Sequence, residues 1–94
     1  APQYTEAHIG LGMLYLYTME YSEAIAHLQK ALEINPDLEE PLYSLGIAHF
    51  KIGDKKEACF YLIKFKTTTT YLRLNPVQKQ QIDAYLNLCH SVNQ

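Results

Sequence analysis

Apolar residues recur at steps of three and four along most of the chain, the spacing that places side chains on one face of an α-helix. The period is clear in four segments, residues 6–17, 21–34, 40–51 and 55–65. The residues MEYS and IGD supply short turns between them, and Gly53 suits the end of a helix. The pattern predicts antiparallel helices joined by tight turns.

The chain also matches itself when it is shifted by 34 residues. The shift superposes identical residues at several places, among them Pro2 on Pro36, Leu11 on Leu45, Gly12 on Gly46, Glu23 on Glu57, Ala24 on Ala58 and Leu28 on Leu62. The small residues allow two helices to approach closely, and the large ones fill the space around that contact. The shift predicts one helix–turn–helix unit used twice.

The segment LGMLYLYTMEYSEAIAHLQKALEINP resembles the tetratricopeptide repeat, since its small and large residues follow the order of that family. The resemblance covers residues 5–38 almost fully and 39–66 well. It implies an all-α fold of about five helices, stacked in antiparallel pairs as a short right-handed superhelical solenoid. Within a single domain, 1–94, we expect repeat one at about 5–38, repeat two at about 39–75 and a capping helix at about 76–92.

Three residues depart from the family pattern. His8 stands in place of a large aromatic residue, Met19 in place of the turn glycine, and His49 in place of a tyrosine. Pro2, in register with Pro36, stands where a preceding repeat would end. A further repeat before this segment is therefore an expectation.

The second repeat contains six extra residues, because YLRLNP at 71–76 echoes ALEINP at 31–36 after 40 residues instead of 34. The extra residues fall near the four threonines at 67–70. The apolar stripe continues through them, so we expect one lengthened helix over about 54–74. Threonine forms helices less readily than alanine, which leaves a break at the threonines as the alternative.

The last segment, PVQKQQIDAYLNLCHSVN, begins with features of a helix start. Asn75 suits the N-cap, and Pro76 suits the first helical position. Its apolar stripe consists of Ile82, Tyr85, Cys89 and Val92. We expect it to cap the stack.

The resemblance implies a concave surface lined by the first helix of each pair. The large apolar residues that it assigns to this surface are Ile9, Met13, Leu16, Tyr17, Tyr43, Ile47 and Phe50. An apolar concave surface predicts a groove for a hydrophobic peptide or an amphipathic helix of a protein partner. Two alternatives stay open: self-association into a homo-oligomer through this face, and cover by the last helix or by neighbouring repeats.

Some members of the family grip the acidic tails of heat-shock chaperones with lysine and asparagine side chains. The matching places here hold Ile9, Met13 and Ser44, and none of these is a cation. Chaperone-tail binding is therefore not expected.

Candidate catalytic chemistry is weak in this sequence. Cys89 and His90 are adjacent, so on a helix their side chains point about 100° apart and cannot act as nucleophile and base. The four histidines form no pair one helical turn apart, and no glycine-rich phosphate loop is present. We expect a non-catalytic protein without a metal site or cofactor.

Charge and composition exclude further classes. A net charge of −2 creates no field that recruits nucleic acid. No apolar run approaches the roughly 20 residues that a membrane-spanning helix needs, so membrane insertion is not expected. Two cysteines, Cys59 and Cys89, are too few for a disulfide framework, and we expect them to be reduced in the cytoplasm.

Overall fold

The computed structural model describes residues 2–91, and all regular structure in that part of the chain is helical. It contains α1 (Pro2–Tyr17), α2 (Tyr21–Ile34), α3 (Glu40–Lys51), α4 (Lys55–Lys66), α5 (Thr69–Leu72), α6 (Pro76–Leu88) and a final 3₁₀ turn (Cys89–Ser91). The all-α prediction is confirmed.

Adjacent helices pack in sequence order: α1 on α2, α2 on α3, and α3 on α4. Two buried clusters hold this stack together. The first joins the two hairpins and consists of Ile25, Leu28, Leu45 and Ala48. The second joins the second hairpin to the C-terminal helices and consists of Leu42, Phe65, Tyr71 and Ile82.

Each hairpin depends on a glycine where its two helices cross. A Cβ atom at Gly12 would lie 2.6 Å from Cγ of Leu28, and a Cβ atom at Gly46 would lie 2.6 Å from Cγ of Leu62. These distances are too short for carbon atoms. The close helix approach inferred from the repeat is therefore present in both hairpins.

The hairpin turns repeat the same backbone conformation with different residues. Gly53 has φ of 87°, and Met19, which is 34 residues earlier, has φ of 65°. The left-handed region is unfavourable for a residue with a side chain. Met19 is therefore strained where the second turn uses glycine.

The lengthened helix expected over 54–74 is wrong, and the alternative of a break at the threonines is confirmed. Helix α4 ends at Lys66. The hydroxyl of Thr67 donates to the Lys64 carbonyl at 2.8 Å, and that of Thr68 donates to the Phe65 carbonyl at 2.6 Å. Such side-chain bonds compete with the helix for its carbonyls, which explains why the helix stops here.

Thr68, Thr69 and Thr70 form the start of α5, and hydrogen bonds connect this start to Glu39 at the start of α3. Thr68 is the N-cap of α5 and accepts from the Tyr71 amide. The Glu39 carboxylate accepts from the Thr70 amide at 2.9 Å and from the hydroxyls of Thr69 and Thr70. These hydrogen bonds, chiefly those from Thr70, lower the pKa of Glu39.

Helix α6 begins as expected from the sequence. The side chain of Asn75 accepts from the Gln78 amide, and the side chain of Gln78 accepts from the Asn75 amide, forming a complete capping box. The α-helical part ends at Leu88. Val92, placed in the predicted stripe, lies outside the described residues.

The expectation of reduced cysteines is wrong, because Cys59 on α4 and Cys89 form a buried disulfide. The two residues are 30 positions apart and meet only because α6 turns back along α4. Composition alone carries no signal of this pairing. Because the thiols are not free, the cysteines no longer indicate a cytoplasmic location.

Among the helices in residues 2–91, none combines the length and apolar character needed to cross a bilayer.

Candidate functional site

A cleft of about 260 Å³ lies where α1, α3 and α6 meet. Its polar lining consists of Glu40, Ser44, Thr70, Gln78 and Gln81. Its apolar lining consists of Met13, Tyr43, Phe65, Leu74 and Ile82. We name this space the first cleft.

Contacts between helices fix the side chains of the first cleft. The hydroxyl of Ser44 donates to the sulfur of Met13 at 3.2 Å, which connects α3 to α1. The ring of Tyr43 packs against Phe65, with centroids 5.6 Å apart. Burial raises the pKa of the Tyr43 hydroxyl, and the nearby Tyr85 adds to this effect.

The wall contributed by α6 is anchored at several points. Ile82 is buried in the second core cluster. The Tyr71 hydroxyl donates to the Asp83 carboxylate at 3.0 Å, and burial together with this bond raises the pKa of Tyr71. Tyr85 packs on Phe50 of α3 with centroids 5.2 Å apart. The C-terminal helix is thus part of the site as well as a cap.

A second cleft, of about 520 Å³, adjoins the first. Its lining consists of Thr5, Glu6, Ile9, Ile34, Asn35, Leu38 and Glu40. Glu40 lines both clefts, so the two adjoin along α1 and the N-terminal half of α3, and we call them together the groove. Two carboxylates, Glu6 and Glu40, belong to this groove, whereas none of the residues found to line it is lysine or arginine.

Three of the seven residues expected on the concave surface line this groove. Met13 and Tyr43 line the first cleft, and Ile9 lines the second. Helices α1 and α3 bring these three residues to the groove.

The other four residues have different surroundings. Leu16 packs against the core between the hairpins, and Phe50 packs on Tyr85. Ile47 is half-buried, whereas Tyr17 is 87% exposed near the end of α1. Part of the expected concave surface is therefore covered from within by α6.

Sequence reasoning missed the residues that the chain from α4 to α6 adds to the first cleft: Phe65, Thr70, Leu74, Gln78, Gln81 and Ile82. Their placement depends on the break at the threonines, which redirects the chain toward α3. The signal in the sequence was the late Asn75-Pro76 pair together with the threonine run.

The described residues hold little that suggests catalysis. They contain no group of three or more histidine, cysteine, aspartate or glutamate side chains placed to hold a metal ion. Cys89 is bonded to Cys59, so it is not a nucleophile in this state. The features of the groove are those of a binding surface.

Comparison with known families matches residues 20–53 to the TPR repeat. The matched stretch contains α2 and α3, the two helices that join one hairpin to the next. No curated protein matches the sequence of this chain. TPR repeats typically serve in protein–protein interaction and are typically non-catalytic. The matched residues carry a TPR repeat, and the helices packed in adjacent pairs are consistent with a TPR-like helical repeat.

Proposed function

We propose that this chain is a non-catalytic interaction module of the adaptor or scaffold type, and that its groove binds an apolar peptide or amphipathic helix of a protein partner. The observation that carries the proposal is the apolar first cleft enclosed by α1, α3 and α6. The first cleft holds about 260 Å³, and the adjoining second cleft extends the surface along α1. It suits anchoring side chains of a larger partner.

The groove also favours a particular charge on the partner. Glu6 and Glu40 place negative charge beside apolar surface, and no cation balances them among the lining residues found. A partner with lysine or arginine next to its apolar anchors would complement this pattern. An acidic tail would be repelled.

The experiment measures the binding of labelled amphipathic peptides by fluorescence anisotropy. The panel contains helices with leucine or phenylalanine anchors, flanked by either lysine or glutamate. We expect the lysine-flanked peptides to bind more tightly. Equal binding of both sets, or no saturable binding of either, would contradict the proposal.

Matched variants locate the binding surface. Met13→Asp adds a charge inside the first cleft, where Met13 is 42% exposed, and should abolish binding. Ile52→Asp adds the same charge at a residue of similar exposure (48%) after the end of α3 and should leave binding intact. Glu40→Lys brings the charge of the groove lining from −2 to 0, so it should remove the preference for lysine flanks.

A second candidate function is structural: a self-associating or terminal segment of a longer array, with its apolar face covered by another copy or by neighbouring repeats. The specific observation is on α1, whose outer face exposes Tyr4, Leu11 and Leu14. The equivalents of the two leucines on α3, Leu45 and Ala48, are fully buried against α2. Another helix could cover the outer face of α1 as α2 covers α3.

Light scattering on a sizing column across a hundredfold dilution tests this second function. If copies pair through α1, the wild type should be an oligomer that Leu14→Asp converts to a folded monomer. Leu72→Asp, at a residue of comparable exposure on α5, should not change the mass. A monomer at every concentration would rule out pairing between copies and leave neighbouring repeats to cover that face.

A further inference from the structure

Two histidines from different helices meet on one side of the first hairpin. Nδ1 of His8, on α1, lies 3.1 Å from Nδ1 of His27, on α2. Their rings are stacked with centroids 5.3 Å apart, and Tyr15 stacks on His27 at 5.5 Å. No local pattern indicates this pair, because the two residues are 19 positions apart and lie on separate helices.

The pair is both fixed and accessible. The close crossing at Gly12 sets the distance between α1 and α2, and the ring of Tyr15 restricts the rotation of His27. Both histidines are only half-buried. A small ion can therefore reach ring nitrogens that are already held together.

The fold does not need histidines at these places. The residues 34 positions later are Leu42 and Tyr61, and the second hairpin packs the equivalent crossing with an apolar side chain and a phenol. The pair Leu42 and Tyr61 shows that an apolar side chain and a phenol are enough to pack this position of a hairpin. Two imidazoles in contact thus add a chemical property that the repeated architecture does not require.

We propose that His8 and His27 form a two-histidine site for a divalent late transition-metal cation such as Ni²⁺ or Cu²⁺. Neutral imidazole nitrogens are preferred ligands of these ions. With metal–nitrogen bonds of about 2.0–2.1 Å, nitrogens 3.1 Å apart subtend roughly 95–100° at the metal, between the square-planar and tetrahedral angles.

Binding replaces the hydrogen bond between the two rings. In the neutral pair one Nδ1–H donates to the other Nδ1, so the donor ring must move its proton to Nε2 before both Nδ1 atoms can bind an ion. The shift conserves protons when both rings are neutral. Within residues 2–91 no third histidine, cysteine or carboxylate completes a metal-binding group, so water fills the remaining coordination positions.

The site does not depend on the groove proposed above, and its test is separate. The whole chain is titrated with Ni²⁺ alone at pH 7.5 by calorimetry, and thermal unfolding is followed with and without the ion. We expect one ion per chain and a raised melting temperature, because the ion bridges α1 and α2. Affinity should follow the order Cu²⁺ above Ni²⁺ above Co²⁺.

The second hairpin supplies the matched variant. The double substitution His8→Leu, His27→Tyr copies Leu42 and Tyr61, so it should fold while its Ni²⁺ affinity falls at least tenfold. Each single substitution should weaken binding similarly. His90→Gln removes an exposed histidine in the 3₁₀ turn and should leave binding unchanged.

Three results would overturn the site. They are equal Ni²⁺ affinity in the wild type and the folded double variant, loss of binding in His90→Gln, and absence of saturable binding to the wild type. Electron paramagnetic resonance with Cu²⁺ gives an independent readout. We expect coupling to two nitrogens, and unchanged coupling in the double variant would also overturn the site.

Discussion

The two hairpins share one framework but differ in what covers them. Leu45 and Ala48 on α3 are fully buried, whereas Leu11 and Leu14, at the same places on α1, are 40% and 55% exposed. The difference comes from α2, which packs on the outer face of α3. The same residue type at the same register position is thus core or surface according to its neighbour.

A second difference concerns the aromatic pair inside each hairpin. In the first hairpin Tyr15 of α1 stacks on His27 of α2, with an interplanar angle of 14°. In the second, His49 of α3 stacks on Tyr61 of α4 at the same angle, so the two residue types have exchanged helices. The hairpins preserve the shape of this contact and change its chemistry.

The exchange also changes the hydrogen-bond partners of the histidine ring nitrogens. His49 is buried and its ring nitrogens have no hydrogen-bond partner, although Nδ1 lies 3.6 Å from the Asp54 carboxylate. His27 is half-buried and bonded to His8. The first hairpin therefore holds its histidine in an accessible pair, whereas the second holds its histidine in the core.

The largest predicted effect is the difference in stability between alanine variants of the two equivalent leucines, Leu45 and Leu11. Leu45→Ala removes a fully buried side chain and should lower the free energy of unfolding by about 2–5 kcal/mol. Leu11→Ala removes a side chain that is 40% exposed and should lower it by less than about 1 kcal/mol. Chemical denaturation of both variants measures the difference, and equal losses would mean that α1 is covered in solution.

Replacing the glycine at the helix crossing by alanine should lower the free energy of unfolding by a similar amount in the two hairpins. Gly46→Ala forces its new methyl group into Leu62, and Gly12→Ala forces its methyl group into Leu28. Each should lower the free energy of unfolding by about 1–3 kcal/mol through overpacking. Differential scanning calorimetry checks this expectation. A neutral effect at either glycine would show that the helices can separate without loss.

Substitutions in the two hairpin turns should change the free energy of unfolding in opposite directions. Met19→Gly relieves a left-handed backbone conformation and should raise the free energy of unfolding by about 1 kcal/mol. Gly53→Ala introduces the same strain in the second turn and should lower it by a similar amount. Urea denaturation measures both. A destabilised Met19→Gly variant would mean that the Met19 side chain contributes contacts that outweigh the strain.

The smallest effect concerns acid stability, through Glu39. Its register counterpart in the first hairpin, Thr5, cannot titrate. The folded pKa of Glu39 lies below its ordinary value of 4.5, so its carboxylate stabilises the fold above that pH, and this contribution is lost as the pH falls through the folded pKa.

Thermal unfolding from pH 7 to pH 3 measures this contribution. Glu39→Gln should reduce the loss of melting temperature on acidification, because the titrating group is absent. Glu20→Gln, which removes an exposed carboxylate in the first turn, should affect that acid dependence less. Identical pH profiles for wild type and Glu39→Gln would contradict a role for the bonds to Thr69 and Thr70.

The sequence predicted the repeated part well, because small and large residues alternate there with a fixed period. Gly12, Gly46 and Gly53 were each assigned from spacing alone, and each has the role expected of it. The break after Lys66 was given only as an alternative. An apolar stripe continuing through four threonines does not show whether their hydroxyls will bond to helix carbonyls.

The groove was predicted only on the side that belongs to the repeats. Ile9, Met13 and Tyr43 follow the register of the family, whereas Gln78, Gln81 and Ile82 reach the cleft through the irregular segment between α4 and α6. Contacts such as Tyr85 on Phe50 and the bond between Cys59 and Cys89 join residues far apart in the chain. No local pattern encodes such contacts.

The disulfide between Cys59 and Cys89 also influences the order in which the helices unfold. It closes a loop of 30 residues and thereby restricts the unfolded chain, which stabilises the folded state by about 3–4 kcal/mol in the chain-entropy description. No disulfide joins helix α1 to the rest of the stack. One apolar face of this helix is exposed to solvent. Unravelling should therefore start at α1 and travel toward α4, with amide hydrogens exchanging earliest in the first helix and latest around the disulfide.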